Sequence, residues 1–124
     1  MVQVQPGEQS QSDDYFLFSV FIVYILYSAN HNKYYIGHTY NIERRLKEHN
    51  ELSDHSFTSK FRPWELKAVI KISKDRSEAM KIESYIKAQK RKTFIELVIQ
   101  KQKDEEFNSW LLKKSLKESL SSDG

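Results

Sequence analysis

Cysteine is absent from the 124 residues, which excludes disulfide staples, thiolate metal sites and cysteine nucleophiles. There are three glycines and two prolines, so loops are expected to be few and short. Gly7 and Gly124 fall in the tails, leaving Gly37 as the body's only glycine. A run long enough to span a bilayer is also missing. The most apolar stretch, residues 15–29, is 15 residues long, against about 20 for a membrane helix. Asp13 and Asp14 precede it, the wrong charge for a secretory leader. Its tyrosines and β-branched residues suit a buried strand, and the chain is expected to stay off membranes, in the cytoplasm.

What is present is charge, unevenly placed. Residues 20–103 hold 17 Lys and Arg against 9 Asp and Glu, a net of +8, while residues 1–19 carry −3 and residues 104–124 carry −2. A cationic body between acidic flanks suits a domain that binds a polyanion, and equally a merely solvated lysine-rich surface.

Residues 1–14 are polar and glutamine-rich, and a disordered tail is expected over residues 1–17. Residues 18–27 are apolar on both parities, a strand buried on both sides in mid-sheet. Turn residues 28–32 lead into a returning strand over 33–39, and residues 64–72 alternate as an edge strand with Trp64, Leu66, Ala68, Ile70 and Ile72 inward. Asn41 is placed to cap a helix over 42–50. Asp75 with Glu78, and Thr93 with Glu96, read as capping boxes for two further helices. Residues 104–120 form an amphipathic helix that offers Phe107, Trp110, Leu111 and Leu116 for docking, and residues 121–124 are tail. The predicted class is α+β, in the order β-β-α-β-α-α plus a C-terminal helix, with a globular domain over residues 18–100.

Several residues break local rules. Arg45 and His49 lie on the inner face of their helix. Glu83 sits at the edge of the stripe Ala79, Ile82, Ile86, where an unpaired carboxylate would cost several kcal/mol, so a partner such as Arg45 or a lysine is expected. Tyr24 and Tyr35 occupy facing strands. Gly37 inside a strand marks close approach of another group, or a tight bend. Two phenols, a guanidinium, an imidazole and a carboxylate suit phosphodiester hydrolysis. The carboxylate can hold a hard divalent cation, the guanidinium can neutralise phosphate charge, and a phenol near cations can orient or deprotonate water.

Val23-Tyr24, followed after ten residues by Tyr35-Ile36-Gly37, resembles the GIY-YIG endonuclease family. Arg45, His49 and Glu83 follow in step, as does the helix pattern Glu43-Arg-Arg-Leu-x-x-His49-Asn50. The likeness is to small stand-alone bacterial members and to the nuclease domain of the excision-repair nuclease, which would place the chain in DNA repair. It implies a three-stranded antiparallel sheet flanked by helices and DNA cleavage dependent on Mg²⁺ or Mn²⁺. On that resemblance Glu83 is the metal ligand, Arg45 stabilises the phosphate, Tyr24 or Tyr35 activates water, and His49 assists. Gly37, His38, Lys60, Arg62, Lys87 and Lys90 would contact DNA, and no small-molecule cofactor is implied. Three positions depart from the pattern: Ile22 replaces the first glycine, His38 stands where repair relatives have lysine, and no counterpart of a later asparagine is visible. A non-catalytic DNA- or RNA-binding module on the same fold is the alternative. A zinc site built from His31, His38, His49 and His55 lacks compact motif spacing. Oligomeric state is left open.

Overall fold

The structure, a computed structural model, describes residues 20–52 and 55–123. The expected tail over 1–17, the expected strand start at Phe18, and Gly124 lie outside the described residues. Three strands, β1 (Phe21–Ser28), β2 (Lys33–Thr39) and β3 (Glu65–Ser73), form one antiparallel sheet in the order β2-β1-β3. The α+β class and the central place of β1 are as expected.

Because β1 is apolar on both parities, both faces of the sheet must be covered, and each large side chain removed from water contributes roughly 1.5–3 kcal/mol. On one face Val23, Ile25, Ile36, Ala68 and Ile70 pack beneath α2 (Arg76–Gln89), through Ala79, Ile82 and Ile86. Phe94 and Val98 of α3 (Lys92–Gln100) and Leu111 of α4 (Glu105–Asp123) complete that layer. On the other face Ile22, Tyr24, Leu26 and Trp64 pack with Tyr35, Ile42, Leu46, Phe61 and Leu66. The second layer is thinner. It consists of α1 (Ile42–Lys47), a π turn (Glu48–Leu52) and a short 3₁₀ turn (Thr58–Phe61).

Five local expectations are corrected. The first strand begins at Phe21, and Val20 is exposed. In β3 the inward series divides between faces: Ile25 pairs with Ala68 but Leu26 with Leu66, so the extra residue forms a bulge that sends Leu66 to one side and Ala68 to the other. The helix capped by Asn41, whose Oδ1 accepts from the Arg44 amide, is α-helical only to Lys47 and then widens into the π turn. The Thr93–Glu96 capping box does not form, since α3 already starts at Lys92, after the left-handed Lys90 that ends α2, and Glu96 accepts the Tyr34 hydroxyl instead. On α4, Leu111 and Ser115 one turn later are buried, whereas Trp110 is exposed beside Phe107.

Gly37 lies directly across from Tyr24 in the β1–β2 pairing. A Cβ there would sit 2.5 Å from the Tyr24 hydroxyl oxygen and 2.7 Å from Cζ. The close approach expected at this glycine is therefore that of a neighbouring phenol, which crosses the strand through the space a side chain would fill. Gly37→Ala should accordingly lower the denaturant midpoint, by about 1–3 kcal/mol of stability. An alanine variant as stable as the parent would show that Tyr24 does not need this channel.

Candidate functional site

Tyr24 is fully buried at the centre of β1. A buried hydroxyl without partners costs about 1–3 kcal/mol, and this one has a partner. Its oxygen lies 2.8 Å from Nε2 of His49, and the Arg45 guanidinium is near enough to favour its ionised form. His49 is itself buried, and its Nδ1 lies 2.8 Å from the Thr58 hydroxyl. With Tyr24 donating to Nε2, Nδ1 carries the proton and donates to Thr58. The π turn is what aims His49 inward, and its carbonyls are held from outside: Arg62 Nε donates to the His49 carbonyl at 2.6 Å and Nη2 to that of Glu48 at 3.3 Å. Asn50 pins the same turn to the start of β3, accepting from the Trp64 amide at 2.7 Å and donating to its carbonyl at 3.0 Å.

Burial pushes the Tyr24 hydroxyl well above the ordinary tyrosine value, against the opposing pull of Arg45. Burial, then the Arg45 charge, lowers His49 to about 4. For Arg45 burial acts downward, but Tyr24 and Glu48 outweigh it and raise the guanidinium above its ordinary value. At neutral pH the site therefore holds a protonated phenol, a neutral imidazole and a charged guanidinium.

Tyr35 stands beside this group, its ring 4.8 Å from that of His49 and 6.3 Å from that of Tyr24. Together with Arg45, Glu48, His49 and Thr58 it lines an open cleft of about 460 Å³ rimmed by Leu52 and Phe57. Arg45 also donates to Glu48 at 3.1 Å.

Glu83 comes from the other layer. It projects from α2 at the β2 edge of the sheet, largely buried, and its carboxylate accepts from Nδ1 of His38 at 2.6 Å and from Nζ of Lys87 at 2.5 Å. The expected partner is thus Lys87 rather than Arg45. Lys87 bridges toward the cleft, its ammonium 5.9 Å from the centre of the Tyr35 ring, and the Glu83 charge acts on Tyr24. On its far side His38 accepts from Nε of Arg76 at 3.3 Å, so one neutral tautomer satisfies both contacts and Arg76 brings a permanent charge to the position.

The expected residues thus divide. Tyr24, Tyr35, Arg45 and His49 converge directly, Glu83 joins through Lys87, and His38 and Gly37 serve Glu83 and Tyr24 respectively. Lys60 and Lys90 are exposed, and Arg62 braces the π turn. Thr58 and Arg76 were not anticipated. Thr58 lies in an aperiodic polar loop, and Arg76 looked like any first-turn surface residue.

Among the described residues no three His, Cys, Asp or Glu side chains form a cage for a cation. Glu83 nevertheless fits a hard divalent ion. Each of its oxygens retains a lone pair beyond its present donor, and the half-exposed Lys87 can swing aside on its flexible stem. Such an ion would take one protein carboxylate and fill its shell with water and phosphate oxygen.

The family model of the GIY-YIG catalytic domain matches residues 20–96. No curated protein and no solved structure matches the chain. Among the described residues no helix is long and apolar enough to cross a membrane.

The buried imidazole makes stability depend on pH. In the unfolded chain His49 takes up a proton near 6.5, in the folded chain only near 4. Between those values the unfolded state binds more protons, so stability falls as pH drops from about 6.5 to 4, by an amount on the order of 1–3 kcal/mol. His49→Gln should remove that part of the acid sensitivity. An NMR titration of the wild-type ring with a midpoint near 6.5 would contradict the buried neutral state.

Proposed function

Since the chain belongs to the GIY-YIG family, whose domains are nucleases that generally cleave DNA with a divalent metal, we propose that it is a Mg²⁺- or Mn²⁺-dependent DNA endonuclease working through Tyr24, Tyr35, Arg45, His49 and Glu83. The observation that carries this reading is the buried link from the Tyr24 hydroxyl to His49 Nε2 at 2.8 Å, with the Arg45 guanidinium nearby. It places a phenol, in hydrogen bond to a proton acceptor, directly behind the open cleft that Arg45 and His49 line.

Glu83 would hold the cation, which supplies positive charge to polarise a phosphoryl oxygen. Arg45, on the cleft wall, binds the scissile phosphate and offsets the charge that grows on it during attack. Tyr35, on the open side, presents its hydroxyl to the attacking water. Tyr24, sealed behind it, is a proton carrier: as the proton released by the attacking water reaches it by way of Tyr35, its own passes to His49 Nε2, and Thr58 holds the ring in the tautomer that leaves Nε2 free. The phosphate also tunes the relay. The Arg45 charge is among the causes that keep His49 near 4, so an anion paired with Arg45 relaxes that effect and raises the proton affinity of His49 when DNA is bound.

A second reading, a DNA-binding module without turnover, is favoured by one observation: the Tyr24 hydroxyl is fully buried and both Glu83 oxygens already carry donors. A plasmid-nicking assay with Mg²⁺ separates the two. The nuclease reading expects nicking, with Arg45→Ala and Glu83→Ala each reduced about 10²–10³-fold while the fold is retained. Tyr35→Phe and Thr58→Val should be reduced less, and Thr58→Ser should recover. Salt-dependent DNA binding without any metal-dependent product, on plasmid, flap and junction substrates alike, would establish the binding module instead.

A further inference from the structure

Two large apolar side chains stand in solvent at the mouth of the cleft that holds Arg45, Tyr35 and His49. Leu52 is 60% exposed and Phe57 58% exposed, and both line that cleft. Neither is needed for the core. Phe57 is nonetheless fixed in place: its ring packs at 5.0 Å on Phe61, which in turn meets Trp64 at 6.3 Å and carries the Lys33 ammonium 4.9 Å from its centre. The ring is thus held against a row of aromatics, while more than half of the residue stays exposed at the cleft. An exposed aromatic so braced, beside a guanidinium and within a cationic body, has the make-up of a base-stacking platform.

We propose that Phe57, with Leu52 beside it, stacks an unpaired nucleobase adjacent to the phosphate held by Arg45, so that the cleft selects DNA carrying an unpaired nucleotide (a gap, flap or single strand) over continuous duplex. This rests on the nuclease reading above and specifies its substrate. The occupant follows from continuity with the cleft: whatever backbone reaches Arg45 brings its neighbouring base past the rim. In intact duplex that base is stacked and paired, and extruding it costs a few kcal/mol, whereas an unpaired base is free to dock. The cleft's volume, about 460 Å³, lies in the ~300–1,000 Å³ range of pockets that take small-molecule groups.

The test uses two matched oligonucleotides without metal, one continuous duplex and one with a single-nucleotide gap opposite an unpaired 2-aminopurine. Wild type should prefer the gapped probe and quench its fluorescence. Phe57→Ala should lose about 5- to 150-fold affinity for the gapped probe and less than about twofold for duplex. Phe57→Trp should keep both affinity and quenching. Phe57→Leu, which preserves apolar packing on Phe61 without a π face, should behave like the alanine variant, and unchanged thermal melting of the variants confirms the fold. The proposal is overturned if Phe57→Ala binds the gapped probe as well as wild type, if its affinities for both probes fall together, or if wild type is a dimer that Phe57→Ala dissociates, which would make the rim a contact between copies. Stacking that depends on Phe57 in a protein that nicks no DNA would remove the nuclease reading and leave the platform. Nicking that is indifferent to Phe57 on gapped and duplex DNA would do the reverse.

Discussion

The site is organised outward from one buried phenol. Tyr24 is in the central strand, covered on all sides, with a hydroxyl that must find partners or cost the fold about 1–3 kcal/mol. Gly37 on the neighbouring strand leaves the channel through which the ring passes, and His49 meets the oxygen at its end, with Arg45 nearby. Those two residues sit one turn apart, so satisfying Tyr24 fixes the place and rotation of α1 and the π turn. No residue of α1 is itself buried, and Asn50 and Arg62 supply the hydrogen bonds that hold this thin layer down. The same contacts that stabilise the second face of the sheet thereby assemble the groups that line the cleft.

Glu83 raises the opposite problem, because it belongs to the helical layer on the other side of the sheet. The sheet edge resolves it. β2 is an outer strand, so a side chain from α2 can reach round it, and His38 and Lys87 make the joint. His38 replaces a residue that would carry a permanent charge in repair relatives, and here Arg76 on α2 supplies the charge from behind the imidazole. The permanent charge here stands on the helix, while the imidazole donor to Glu83 is on the strand.

How much of this was legible in the sequence follows the physics of each signal. Two-sided apolarity placed β1 in the middle, and the spacing of Tyr24, Tyr35, Arg45, His49 and Glu83 singled these residues out, Arg45, His49 and Glu83 because they sit on inward helix faces where their chemistry is a poor structural choice. Periodicity failed wherever the backbone changes its repeat. The bulge near Lys67 reverses the faces of β3, and the π turn after Lys47 alters the helical phase, yet neither leaves a mark in a pattern of apolar residues. Thr58 was hidden because an aperiodic loop encodes position only through the fold around it. Lys60, Arg62, Lys87 and Lys90 were equivalent as cations in the sequence, whereas in the structure one braces a turn, one bridges a carboxylate and two are exposed.

The electrostatics bear on which chemistry the site can support. A resting phenolate at Tyr24 would be penalised by burial and by the fields of Tyr35 and Glu83, and Arg45 does not offset them, since the hydroxyl remains raised. A relay that is neutral at rest avoids this cost, because a protonated phenol and a neutral imidazole need no solvation that the core cannot provide. Of the charges that act on the relay, Arg45 is half-exposed on the cleft wall and can be paired by a ligand. Charge is thus kept where an anion can reach it, while the interior carries only hydrogen bonds able to pass a proton. That division fits a site whose working state is completed by a phosphate, and it explains why the cationic residues of the body can be spread over the surface while a single guanidinium enters the cleft.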